Sequence, residues 1–126
     1  MMAVALLSFV AASAQSTGEI IEKYNQGTAA LQAKQWATAL TAFEDVVKSG
    51  VDSEDSNVLN CVAASKKYIP TCYFQLGGVA IKSGKFDEAI EKFSKSADKA
   101  ELYGDQQSKL KANSWIAKCY QAQGGK

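Results

Sequence analysis

Beyond the first fourteen residues, apolar positions recur three and four apart and show no sustained alternation, the pattern of consecutive α-helices without strands. Ser16 or Thr17 stands where an N-cap belongs, with Glu19 in the first turn. Ile20, Ile21, Tyr24, Ala30 and Leu31 then form one apolar side. Trp36, Ala39, Leu40, Phe43, Val46 and Val47 make the stripe of a second helix that stops near Ser49-Gly50. Asp52 or Ser53 is the expected cap of a third. In it Val58, Cys61, Val62 and Ile69 run into Pro70, and the pattern resumes as Tyr73, Phe74, Leu76, Val79, Ala80 and Ile81. An internal proline removes a helical hydrogen bond and kinks the rod, so this is one bent helix or two abutting ones. Ser83-Gly84 ends it. Phe86, Ala89, Ile90, Phe93 and Ala97 mark a fourth helix reaching about Tyr103-Gly104. Asp105 caps a fifth, with Leu110, Ala112, Trp115, Ile116, Cys119 and Tyr120 turned inward.

The segment MMAVALLSFVAASA, residues 1–14, carries no charge and is too short to span a bilayer as a helix. It fits the apolar region of a secretory signal, and Ala12-Ser13-Ala14 supplies the small-x-small cleavage pattern. No Lys precedes Lys23, so the usual positive start is missing, and an apolar first helix packed in the core is the alternative. The reading taken here is a signal peptide over 1–14 and a mature domain over 15–126. The mature chain is then exported, to a bacterial periplasm, with no insertion in the membrane after cleavage.

The mature chain repeats itself. Gly27, Trp36, Ala39 and Phe43 recur fifty residues later as Gly77, Phe86, Ala89 and Phe93, and Ala117 follows Gly77 by forty. On these residues the chain resembles the tetratricopeptide repeat, whose unit reads aromatic-x-x-Leu-Gly-x-x-Tyr, then Ala-x-x-x-Phe. Tyr73, Leu76, Gly77, Ala80, Ala89 and Phe93 match best. The first copy has Gln26 where Leu is usual, and the third offers Ile116, Ala117 and Tyr120. The copies cover about 19–52, 53–103 and 105–125, the last being half a unit. The resemblance implies an all-α solenoid of about five helices in antiparallel pairs. Lys109, Lys111, Lys118 and Gln121 lie on one side of the last helix, which suits a polar cap; half of an unfinished pair is the alternative.

Such arrays bind peptides or proteins along a concave face lined by the first helix of each pair. Carried over residue by residue, the groove here consists of Tyr24, Asn25 and Thr28, then Phe74, Gln75 and Lys82, then Lys111, Trp115 and Lys118. Tyr24 and Thr28 stand where some members hold a partner's terminal carboxylate with Lys and Asn, so that clamp is not intact. What remains is an aromatic row beside lysines. It suits a protein or peptide partner with apolar anchors and acidic character, unless the rings simply pack between helices.

Composition narrows the chemistry. The chain has fourteen Lys, thirteen acids, no Arg and no His, so imidazole catalysis and imidazole metal ligation are closed to it. A net charge of +1 offers no basic excess for nucleic acid. No Gly-rich phosphate loop appears, since Gly77-Gly78 lies within a helical pattern. The run Asp52-Ser53-Glu54-Asp55 reads as a helix start rather than a cation loop. The expectation is therefore no enzyme, no cofactor and no metal. Cys61 and Cys72, eleven apart, are too distant to bridge if they share a helix, and Cys72 and Cys119 read as small buried hydrophobes. Charge divides unevenly: residues 1–60 are net −4 and residues 61–126 net +5. That division favours head-to-tail association or steering of an acidic partner, or merely reflects solvated helix faces. A repeat region of a larger sensor or enzyme is one alternative function. A self-associating structural protein, dimerising through its last helix, is another.

Overall fold

A computed structural model describes residues 16–124. The expected signal peptide over 1–14 lies outside the described residues. Five α-helices follow one another, with no strand among the described residues: α1 (Thr17–Gln32), α2 (Trp36–Gly50), α3 (Ser56–Lys82), α4 (Phe86–Leu102) and α5 (Gln106–Gly124).

The caps show why the helices start where they do. Ser16 Oγ accepts the Glu19 N–H at 3.1 Å, and Glu19 Oε1 accepts the Ser16 N–H at 3.2 Å, a reciprocal box at the start of α1. Asp105 caps α5, accepting from the Ser108 N–H at 3.1 Å. The cap of α3 is neither Asp52 nor Ser53. Asp55 has the extended backbone an N-cap needs, and its Oδ1 accepts from Asn57 at 2.9 Å and Val58 at 3.1 Å. Ser53 instead accepts from the Asp55 N–H within the link.

Three turns share one geometry. Lys34, Gly84 and Gly104 have φ of 60°, 74° and 74°. The N–H of the residue after each bonds back to the last helical turn, Gln35 to Ala30, Lys85 to Ala80 and Asp105 to Ala100. This six-residue closure requires a left-handed backbone at its centre, which glycine adopts freely and Lys34 does not.

Helix α3 runs unbroken through Pro70. Pro70 is buried, and its carbonyl accepts the Ser96 hydroxyl at 2.8 Å, tying α3 to α4. Ile69 and Cys72 beside it are fully buried, so the packing of this stretch offsets the lost helical bond.

Successive helices pack antiparallel. Gly27 meets Phe43 while Ile20 meets Gly50, and Gly77 meets Phe93 while Pro70 meets Ser96. Between α4 and α5, Glu101 bonds Lys109 and Asp87 bonds Gln123. Two core clusters, around Phe43 and around Val58, lie between α1, α2 and α3. A third, around Phe93 and Cys119, lies between α3, α4 and α5. The glycines set the approach: a Cβ at Gly27 would stand 2.7 Å from the Phe43 ring, and one at Gly77 would stand 2.6 Å from that of Phe93. Ala39 and Ala89 are fully buried where the returning helices cross.

Three expected core positions are not core. Leu110 and Tyr120 are each 59% exposed and Val79 is 50% exposed. Helix α5 turns Ala112, Trp115, Ile116 and Cys119 to its neighbours, and Leu110 and Tyr120 fall on the opposite face. The three cysteines are free. Cys72 and Cys119 are buried, and burial pushes the Cys72 thiol up to about 12.

Candidate functional site

An apolar notch of about 190 Å³ lies where α3, α4 and α5 meet, lined by Phe74, Gly78, Ile81, Lys82, Phe93 and Trp115. Its back wall is an aromatic cluster. Phe74 and Phe93 lie 5.1 Å apart between ring centres, Phe93 and Trp115 stack at 6.1 Å, and Trp115 meets Phe74 edge-on at 6.4 Å. Phe93 is buried because Gly77 lets its ring in, and the fixed ring in turn seats Phe74 and Trp115.

Gly78 creates the opening. It lies one helical turn beyond Phe74, and a Cβ there would meet nothing within 4 Å. Lysines surround the rings: Lys111 Nζ stands 4.6 Å from the Phe74 ring centre and Lys118 Nζ 4.3 Å from that of Trp115. Lys82 completes the rim. Each such pairing contributes on the order of 0.5–1 kcal/mol at an exposed site and leaves the ammonium hydrated enough to meet a carboxylate.

A second, more polar hollow of about 320 Å³ adjoins the notch across Gly78 and Lys82. Gln75 and Val79 line it from α3. Lys34 and Trp36 line it from the turn between α1 and α2.

Of the nine residues read from the sequence, four line these two hollows, Phe74, Gln75, Lys82 and Trp115, and Lys111 and Lys118 lie over the rings of Phe74 and Trp115. Tyr24, Asn25 and Thr28 line neither. Tyr24 packs instead on Phe43, with ring centres 5.9 Å apart, and Phe43 stacks on Tyr68 at 5.0 Å. Its phenol is held above the ordinary value of 10.0, by burial first and then by Tyr68. Asn25 is exposed, and its carbonyl accepts the Thr28 hydroxyl at 3.0 Å.

Sequence reasoning missed three contributors. Phe93 was expected to fill a gap between units and does so, but it also forms the wall of the notch. Trp36 carried only a core signal, and Lys34 carried none, since its role depends on how the first turn comes beside α3. The lysines of α5 also differ from the expected polar outer face. Lys109 bonds Glu101 at 2.9 Å, and Lys111 and Lys118 lie over rings, so none extends from the outer side of the helix.

Among the described residues no helix is long and apolar enough to cross a membrane, and no three His, Cys, Asp or Glu side chains are grouped as metal ligands. No family model matches this chain, and comparison with curated proteins and solved structures likewise returns no match.

Proposed function

We propose that this chain is a protein-interaction module, a tetratricopeptide-like solenoid acting after export. It holds a peptide or protein segment that places a large apolar side chain in the notch and carboxylates against the lysine rim. The observation that carries this reading is an open apolar notch with an aromatic wall, lined at one edge by Lys82, with Lys111 and Lys118 lying over the Phe74 and Trp115 rings of that wall. A buried anchor beside complementary charge is how small interfaces gain both affinity and orientation. One apolar side chain leaving water contributes about 2 kcal/mol, so several rim contacts must add to it before binding becomes micromolar.

The test uses immobilised short peptides that vary one central Leu, Phe or Ala among Asp and Glu, with Lys-flanked versions as controls. The expected result is retention on the acidic Leu and Phe peptides, weakening with salt, and abolished by Gly78→Leu with helicity unchanged. Equal retention by the Gly78→Leu chain would sink the reading.

A further inference from the structure

The outer face of α5 repeats a surface that the two earlier pairs bury. Seven residues before Gly27 and three after it stand Ile20 and Ala30, 3% and 5% exposed against α2 and its neighbours. Around Gly77 the same offsets give Pro70 and Ala80, both buried. Around Ala117 they give Leu110 and Tyr120, each 59% exposed, and Ala117 is itself exposed. No described helix covers this stripe.

We propose that the stripe is a two-fold interface between two copies of this chain, each α5 packed antiparallel on the other and centred level with position 115. Three observations select a second copy as the occupant. The stripe is uncharged: Leu110, Asn113, Ala117 and Tyr120 form it, and the helix's three lysines are engaged with Glu101, Phe74 and Trp115. A like surface therefore meets it without charge repulsion, whereas an acidic partner finds no counter-charge there.

The stripe is also self-complementary. Leu110 and Tyr120 lie equally far from position 115, as do Asn113 and Ala117, so an antiparallel copy sets Leu110 against Tyr120 and Asn113 against Ala117, twice over. Finally, Ala117 carries the Cβ that Gly27 and Gly77 lack. In those pairs a Cβ would stand 2.7 Å and 2.6 Å from the phenylalanine ring, so a returning helix of the same close kind does not fit here. A shallower contact through Asn113 does.

Helix α5 is about 28 Å long, and a pair of such faces buries roughly 1,000 Å² in total, the lower limit for a specific interface. The dimer is accordingly a weak one. Trp115 and Lys118 point to the other side of α5, so dimerisation leaves the notch open and stands independently of the proposed function.

Sedimentation equilibrium of the full chain from about 1 to 500 μM tests this, a range that covers weak dimers. The expected result is a monomer–dimer equilibrium that Ala117→Glu and Tyr120→Lys each weaken at least tenfold with unchanged helicity, while Leu59→Glu, on α3, leaves it intact. A monomer throughout overturns the proposal and leaves the face to another occupant, a further helix or a different protein. Association that survives both α5 variants, or that grows beyond the dimer, overturns it too. Register is read by mixing Asn113→Cys and Ala117→Cys chains in a Cys61→Ser background under mild oxidation. The mixed disulfide should clearly exceed its statistical share of half the product, and a random one-to-two-to-one distribution, or less of the mixed product, would overturn the antiparallel pairing.

Discussion

The two helix pairs place the same residue types fifty positions apart, and they differ where it matters for a ligand. In the first pair Gly27 admits Phe43, whose ring is covered by Tyr24 and Tyr68, with Thr28 one turn beyond Tyr24. In the second Gly77 admits Phe93, whose ring is flanked by Phe74 and Trp115, and Gly78 follows where Thr28 stood. The first arrangement is a packed cluster and the second is a wall beside a hollow. A shared framework thus carries two different surfaces, and the difference rests on the side chain missing at Gly78 and on where along the following helix the third ring stands, Tyr68 nine residues before Gly77 and Trp115 two before Ala117.

Ionisable groups sharpen the contrast most. Tyr24, Cys61, Cys72, Tyr73 and Tyr103 all pack around the first two clusters, and burial raises every one of them above its ordinary value. In the third cluster only Cys119 is so affected. Cys72 is held protonated to about 12 against an ordinary 9.0, so the unfolded chain loses that proton first as pH rises. Its contribution to stability is complete below pH 9 and is lost toward pH 12. Urea unfolding at pH 8, 10 and 11 should show the chain losing about 2–3 kcal/mol by pH 11, and losing less in Cys72→Ala. An equal loss in that variant would detach the effect from Cys72.

The adjacent glycines of the second pair should respond with opposite signs. Gly77→Ala drives a Cβ to within 2.6–2.8 Å of a buried Phe93 ring and should destabilise by about 1–3 kcal/mol, as should Gly27→Ala against Phe43. Gly78→Ala meets open space in a helix interior and should stabilise by roughly 0.5–1 kcal/mol while narrowing the notch. Denaturation midpoints of the three variants decide the matter, and a destabilised Gly78→Ala would mean that the notch is filled.

A smaller effect is expected at the turns. Lys34 and Gly84 occupy the same left-handed position, but only the second is a glycine. Lys34→Gly should therefore stabilise by about 0.5–1 kcal/mol and Gly84→Ala destabilise by about 1 kcal/mol. Melting temperatures of the pair test it.

Much of this was legible in the residues. The helices, the spacing of fifty, the small residues under Phe43 and Phe93, and the Asp105 cap all follow from one-dimensional patterns. The Asp55 cap did not, because Asp52, Ser53 and Asp55 can each cap and the backbone of the link makes the choice. Pro70 left one bent helix or two abutting ones open, and the structure carries a single helix through it, with Pro70 buried. Leu110 and Tyr120 read as core because apolar residues at helical spacing identify a helix, not which of its sides is covered. At the site, Phe74, Lys82 and Trp115 were found through repeat positions, whereas Lys34 left no pattern and Trp36 read only as core, both coming from a different helix pair.

Sequence alone thus determined that the described chain is helical, where its turns fall, and which small residues let which rings approach, because each of these depends on residues near one another or at a fixed repeat. Tertiary structure decided that Tyr24 is packed while Phe74 edges a hollow, that the lysines of α5 turn to rings and to Glu101, and that one apolar stripe of α5 stays uncovered. Whether a side chain is packed or exposed depends on which other helices reach it, and identical local spacing can have either outcome.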